Sequence, residues 1–258
     1  MKNMKKILHV TLVVAMAAMM FAGCGSSSKK TSDTKSSEDT LIMATNAAFP
    51  PYEYVEGKDY KGIDVEIAQA IADKLGMKLE IKDVEFGSII GGVQSGKFDM
   101  GMAGITVTKD RQKSVAFSDP YATAIQSVIV KEGSSITSVD SITKNTKIGV
   151  QQDTTGDIYA SDDYGDDAVV RYNKGADAVA ALVSGKVDCV IIDNEPAKAF
   201  VAANDGLQLL DSAYAEEEYA ICVAKDNDEL LGKINTALKS LKDDGTIDSI
   251  VSKYIVSK

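Results

Sequence analysis

Arginine is scarce in this chain, and the scarcity singles out one residue. Only Arg111 and Arg171 occur, against 26 lysines. Lysine supplies surface charge just as well, so an arginine kept among lysines suits a task that needs the planar guanidinium fork, such as gripping a carboxylate. Arg111 ends the run Ala103-Gly104-Ile105-Thr106-Val107-Thr108-Lys109-Asp110-Arg111, just past a buried strand pattern. Ligand-binding loops of open α/β sheets lie at such strand ends. A surface arginine paired to Asp110 or Asp119 accounts for the spacing equally well. Asp193 follows a second apolar run, residues 187–192, and offers a carboxylate to a cation. It also stands where a helix N-cap belongs, ahead of Asn194-Glu195-Pro196. Thr154-Thr155-Gly156 opens a helix after a strand pattern at 147–150. Free N–H groups and two hydroxyls there suit an anion, although plain capping uses the same residues. Phe49-Pro50-Pro51-Tyr52-Glu53-Tyr54 follows the first strand pattern, and its rings can wall a pocket or plug a core.

These side chains need elements to hold them. From residue 41 the text alternates between short apolar runs and helical stripes, which predicts α/β layers. Strands are expected at 41–45, 78–84 and 98–105. A helix over Ile63–Leu75 has apolar residues at Ile63, Ile67, Ala70, Ile71 and Leu75, with Gly76 as its stop. A second helix is expected at 88–94. One internal similarity organises the chain: Val93-Gln94-Ser95-Gly96-Lys97-Phe98-Asp99-Met100 returns in form as Leu182-Val183-Ser184-Gly185-Lys186-Val187-Asp188-Cys189. Each reads as a helix stopped by glycine and followed by a parallel strand. Two similar lobes explain it, the second starting near Ser127-Val128-Ile129-Val130. A last strand is expected at 219–224, then a long helix capped by Asn227-Asp228 with the stripe Leu230, Leu231, Ile234, Leu238 and Leu241, and a final helix at 247–255.

Composition removes several function classes. Lys2, Lys5 and Lys6 precede an apolar run, 7–21, that closes in Phe21-Ala22-Gly23-Cys24. This reads as a secretory signal cleaved before Cys24, since the run is shorter than the roughly 20 residues of a spanning helix. Residues 25–39 contain no apolar side chain and read as a flexible linker. Cleavage removes three lysines and no acid, taking the net charge from −10 to −13. Such a chain repels phosphate backbones and shows no basic stripe, so nucleic acid is not an expected partner. The sole histidine, His9, lies in the leader. The mature chain therefore has no imidazole for a Ser-His or Cys-His pair or for a metal site. Cys189 and Cys222 sit in apolar runs and read as two buried thiols, with a disulfide left open. The segment 91–97 has the glycine and lysine spacing of a phosphate loop, but Phe98 stands where a hydroxyl must hold magnesium.

Taken together, these segments resemble the polar amino-acid family of extracytoplasmic solute-binding proteins, the receptors of ABC importers. The resemblance spans 41–255 and is carried by Thr45-Asn46-Ala47-Ala48-Phe49-Pro50-Pro51-Tyr52, Gly62-Ile63-Asp64-Val65, and Gly104-Ile105-Thr106-Val107-Thr108 with Arg111. Phe117-Ser118-Asp119-Pro120-Tyr121, Gly149-Val150-Gln151 with Thr154-Thr155-Gly156, and Ile192-Asp193-Asn194 complete it. The signal resembles a lipoprotein signal with Phe21 in place of the usual leucine, which implies lipidation (palmitate among the acyl groups) at Cys24.

The resemblance implies a two-lobed type II periplasmic-binding-protein fold, each lobe a mostly parallel α/β sheet flanked by helices, joined by two hinge strands. It assigns 1–23 to the signal, 24–39 to the linker, 40–126 with 218–258 to lobe one, and 127–217 to lobe two. A monomer would take a free amino acid between the lobes and hand it to a membrane-embedded permease, using no cofactor or metal. It would work at the extracytoplasmic face of the cell membrane. By resemblance Arg111 clamps the α-carboxylate with help from Thr106 and Thr155. Asp193 takes the α-ammonium with Gly104 and Thr106, and Phe49 and Phe86 sandwich the side chain. Asn46, Gln151 and Tyr52 complete the set. Asn46 stands where members for cationic side chains carry Asp, which favours a neutral polar ligand, whereas Asp153 puts a carboxylate near the cleft mouth. The same fold also serves as a signalling module and in a dehydratase branch, and these are the alternative readings.

Overall fold

The computed structural model describes residues 39–255. The expected signal, Cys24 and all but the last residue of the expected linker lie outside the described residues. The chain lays down β1 (Thr40–Thr45), β2 (Ala48–Phe49), β3 (Glu53–Glu56), β4 (Asp59–Lys61), α1 (Ile63–Leu75), β5 (Lys78–Asp83) and α2 (Gly87–Gln94). It continues with β6 (Met100–Gly101), β7 (Val115–Phe117), β8 (Ala122–Lys131), β9 (Ile148–Gln151), α3 (Thr155–Tyr164), β10 (Val169–Tyr172) and α4 (Gly175–Val183). Then come β11 (Cys189–Asp193), α5 (Asn194–Ala203), β12 (Leu207–Leu209), β13 (Ala215–Tyr219), β14 (Cys222–Ala224), α6 (Asp228–Asp243) and α7 (Thr246–Tyr254). One sheet has the order β5-β1-β6-β14-β7, the other β10-β9-β11-β8-β12 with β13 also on β8, and β2-β3-β4 form a small third sheet.

The repeated Ser-Gly-Lys segments do the same work in both large sheets. After α2 and after α4 the chain closes with Gly96 (φ 72°) or Gly185 (φ 73°) in the left-handed region. The N–H of Lys97 donates to Gly92 O and that of Lys186 to Ala181 O, both at 2.9 Å, a helix closure that glycine adopts without strain. The aspartates that follow are equivalent too. Asp99 Oδ2 accepts the Ile42 N–H (2.7 Å) at the start of β1, and Asp188 Oδ2 accepts the Lys147 N–H (2.8 Å) ahead of β9. The motif thus ends a helix and locks the strand beside the one it starts.

In the first sheet β1 runs parallel to β5 and β6, and in the second β9 runs parallel to β10 and β11. The carboxyl ends of β1, β6, β9 and β11 carry Asn46, Gly104, Thr154 and Asp193, so topology gathers the loops that the sequence marked. The core under the first sheet sets Leu41 and Met43 of β1 among the α1 stripe Ile63, Ile67 and Ile71, all fully buried. Helices α6 and α7 return to this layer, burying Ile234, Leu238, Leu241, Ile247 and Ile250. Tyr254 Oη donates to Glu66 on α1 at 2.6 Å. Leu238→Ala is accordingly expected to lower unfolding stability by about 2–5 kcal/mol in denaturant melts, the range for a leucine truncated in a packed core. A change within about 0.5 kcal/mol, typical of surface positions, would show that α6 merely rests on the domain.

Two expected strands are corrected. The strand placed at 98–105 pairs only over Met100–Gly101. Beyond it Gly104 takes φ 53° and its N–H goes to Asp64 Oδ2 (2.8 Å), which turns the chain out of the sheet. The strand placed at 219–224 is two strands. Tyr219 still pairs with Ala122 of β8, whereas Cys222 pairs with Gly101 and Phe117, so the chain changes sheets between them. Cys189 and Cys222 are buried free thiols in different sheets.

Candidate functional site

The two large sheets meet at a narrow cavity of about 10 Å³, lined by Asn46, Phe49, Glu53, Phe86, Ala103, Gly104, Thr106, Arg111, Gln151, Thr154, Thr155 and Asp193. Room for about one water molecule is left between these side chains, so the two walls are drawn in close to one another. Hydrogen bonds cross from one side to the other. Gln151 Nε2 donates to Asn46 Oδ1 (2.9 Å), Arg111 Nη2 to Asp153 O (3.1 Å), and the Thr106 and Thr155 hydroxyls meet at 3.5 Å. The cleft is therefore shut.

Arg111 begins a short 3₁₀ turn, with its own N–H donating to Thr108 Oγ1 (3.1 Å). Its guanidinium donates from Nη1 to Thr106 O (2.9 Å) and lies 5.3 Å from the centre of the Phe86 ring. It pairs with neither Asp110 nor Asp119. Asp110 takes Lys113 at 2.5 Å, and the Asp119 N–H goes to Asn235 Oδ1. Two guanidinium donors are thus tied to carbonyls that set the plane, and the rest remain for an anion. Burial draws the Arg111 pKa down, while the nearby acids, Glu217 foremost, hold it up. Arg171, the other arginine, binds Asp157 and Asp166 (2.8 and 2.6 Å) away from the cavity.

Asp193 occupies the N-cap position of α5, yet its side chain makes no capping bond. It accepts the Tyr219 hydroxyl instead, at 2.5 Å. Burial, reinforced by the charge of Glu217, pushes the Asp193 carboxyl up to about 7, with the Tyr219 bond opposing. A buried carboxylate held ready for a countercharge behaves this way. At the start of α3, Thr154 is the cap: its Oγ1 accepts the Asp157 N–H and donates to Gln151 O (2.7 Å). The Thr155 hydroxyl is left to face Thr106 and Gln126.

The structure brings together Asn46, Phe49, Phe86, Gly104, Thr106, Arg111, Gln151, Thr155 and Asp193 from the sequence-derived set. Tyr52 is a correction. It does not line the cavity but packs edge-on against Tyr219, with ring centres 5.1 Å apart, behind Phe49. Its Pro-Pro turn carries the chain back toward α1, and that buries the ring. Sequence reading missed Glu217 and Glu53. Glu217 Oε2 accepts from Gln126 Nε2 (2.9 Å) and Thr106 Oγ1 (3.2 Å), tying β13 and β8 to the cavity wall. Strand alternation in Glu216-Glu217-Glu218 was the available signal, since one of three consecutive strand residues must face inward. Among the described residues no group of side chains is arranged to hold a metal ion.

Residues 41–257 match the family model of bacterial extracellular solute-binding proteins, family 3. The arginine-binding extracellular protein ArtP of Bacillus subtilis (strain 168) is 35% identical over 99% of this chain and 100% of its own length. The ABC transporter glutamine-binding protein GlnH of the same organism is 32% identical over 98% of each. Among solved structures, an ancestral arginine-binding protein bound to arginine superposes with a TM-score of 0.80 at 40% identity, covering 84% of this chain and 99% of that one.

Proposed function

We propose, for a chain that belongs to the bacterial extracellular solute-binding proteins of family 3, that the closed cavity captures one free polar amino acid and presents it to an ABC importer. The observation that carries this is the cavity itself, to which the side of the first sheet brings the Arg111 guanidinium and the side of the second brings the Asp193 carboxylate. Arg111 takes the ligand's α-carboxylate, Thr155 and the opening of α3 assist it, and Asp193 takes the α-ammonium. The rings of Phe49 and Phe86 border the side chain. Asn46 is spent on Val84 O (2.8 Å) and Gln151, so it brings no charge to the side-chain end, in keeping with a neutral polar ligand. Lobe one then comprises 40–126 and 218–258, lobe two 127–217, with β8 and β13 as the strands on which they rock. The chain works as a monomer, tethered through an acylated Cys24 after loss of 1–23, and turns nothing over.

Burying a zwitterion is unfavourable by several kcal/mol per ion unless each charge is paired. With one countercharge on each wall, full pairing exists only in the shut state, so the ligand stabilises the form the permease reads. A thermal-shift panel of the free amino acids tests the proposal. A ligand at 100 times its Kd adds about 2.7 kcal/mol of stability, a clear rise in melting temperature. Glutamine and other neutral polar amino acids are expected to lead the panel. If no amino acid moves the midpoint, the receptor reading fails.

A further inference from the structure

Most polar side chains around the cavity have their partners. Asn46 and Gln151 hold each other, Thr154 caps α3, Thr106 and Thr155 belong to the Glu217 network, and Asp193 has Tyr219. Glu53 differs. It is 1% exposed, lines the cavity, and its Oε2 has no donor. Its carboxyl faces Asp64, a fully buried residue on α1 whose N–H donates to the carbonyl of the adjoining Tyr52 (2.9 Å). Asp64 Oδ2 accepts the Gly104 N–H and the Tyr121 O–H, both at 2.8 Å, but Oδ1 also lacks a donor. Two buried carboxyls that face each other, each with an orphaned oxygen, cannot both be ionised. One proton held between them satisfies both.

On the amino-acid receptor reading, we infer that Glu53 and Asp64 form a single acid pair in the cavity wall that shares one proton, and that a second proton on the pair opposes binding of a positively charged ligand nitrogen. With one proton the pair carries one negative charge, which attracts a ligand nitrogen near Glu53. With two it is neutral. Binding below the pH where the second proton adds therefore expels that proton to solvent, and the bound pair keeps one. No lysine or arginine makes an ion pair with either acid among the described residues. The groups that face them are Tyr121, Tyr52, Asp193 and Asp83, with Arg111 in the same cavity. Burial raises Glu53 well above the usual carboxylate range and Asp64 to about 6, in the direction the geometry requires. Gly104, positioned by Asp64, makes the pair part of the binding wall rather than of the distant core.

Isothermal titration of the full chain with L-arginine and with L-glutamine at pH 5.5, in two buffers of different ionisation enthalpy, counts the protons released on binding. The wild type is expected to release more than Glu53→Gln, by a difference approaching about one proton, because the amide can still donate to Asp64 but cannot titrate. Asp64→Asn should produce the same fall. Release lost with both ligands places the α-ammonium at Glu53, and release lost with arginine alone places the side-chain cation there. Either supports the pair, and neither follows from a merely structural contact, which would lower the melting temperature without changing the proton count. Equal counts in wild type and variants that bind ligand overturn the acid pair and leave the receptor standing. So does a wild-type heat with no buffer dependence. A wild type that binds no amino acid removes both.

Discussion

Arg111→Lys is expected to lower amino-acid affinity at least about 100-fold while the protein folds normally, because two charge-assisted hydrogen bonds, together worth roughly 3 kcal/mol or more, are lost. The guanidinium is held in plane by Thr106 O on its own side and Asp153 O on the other, with the Phe86 ring close by. The Thr106 bond orients the group on its own wall, and the Asp153 bond completes the anchoring when the cleft is shut. An ammonium at the end of a flexible stem keeps the charge but has neither the fork nor the second anchor. Closure suffers as well, since Arg111 Nη2 makes one of the bonds that cross the cleft. The side chain lies outside the hydrophobic clusters, so the unfolding midpoint should barely move. Titration calorimetry and a denaturant melt on the same variant separate the two effects. Unchanged affinity would make Arg111 an ordinary cleft-rim residue, and a large fall in the midpoint would make it structural.

Much of this site was legible in the sequence because topology repeats. The twin Ser-Gly-Lys segments mark two helix ends and two strand starts, and the ligand loops lie one strand end further on. Arg111 and Asp193 were visible as residues but ambiguous as roles, and side-chain geometry removes the bland alternatives, since Asp193 makes no capping bond and Arg111 pairs with neither Asp110 nor Asp119. A capping aspartate and a binding aspartate have the same neighbours in sequence. They differ in whether the carboxylate turns back to its helix or across to Tyr219. Glu217 and Glu53 were hidden for another reason. Glu217 is one of three consecutive glutamates and Glu53 a lone acid in an aromatic-proline loop, and an acid in either place reads as solvated until tertiary packing buries it. The strand over 98–105 was overextended because apolar content continues through Ile105, whereas pairing stops where Asp64 captures the Gly104 amide.

The division of charge also explains why the cavity is built from two sheets. A carboxylate paired to the guanidinium on one wall would neutralise it and leave it less available to a ligand. Glu217 is engaged with Gln126 and Thr106, Glu53 faces Asp64, and neither makes an ion pair with Arg111, which stays available. β8 and β13 carry a buried polar network, Gln126 and Glu217 with Thr106, beside the cavity, so on the receptor reading a shift of these strands would alter both walls together.

The pH dependence of binding should report on Asp193. Its pKa in the closed, ligand-free cavity is raised to about 7 by burial and by Glu217. A carboxyl raised above its unfolded value stabilises the fold at low pH, and that contribution is lost as pH rises through the folded pKa. Between about pH 4 and 7, then, the ligand-free protein loses the part of its stability that this group supplies. A ligand ammonium reverses the sign, because it pairs with the ionised form and draws the pKa back down. Protons and ligand therefore compete. Affinity is expected to fall toward tenfold for each pH unit below about 7, or about 50-fold between pH 7 and pH 5 from this group alone. Asp193→Asn should lose most affinity and, with it, this limb of the profile. Tyr219→Phe removes the one side-chain hydroxyl held by the carboxylate and should move the midpoint upward, with weaker binding at neutral pH. Calorimetric Kd values from pH 5 to pH 8 on the three proteins decide the matter. A wild-type profile flat through pH 7, or one unchanged in Asp193→Asn, would mean that the ammonium is held elsewhere.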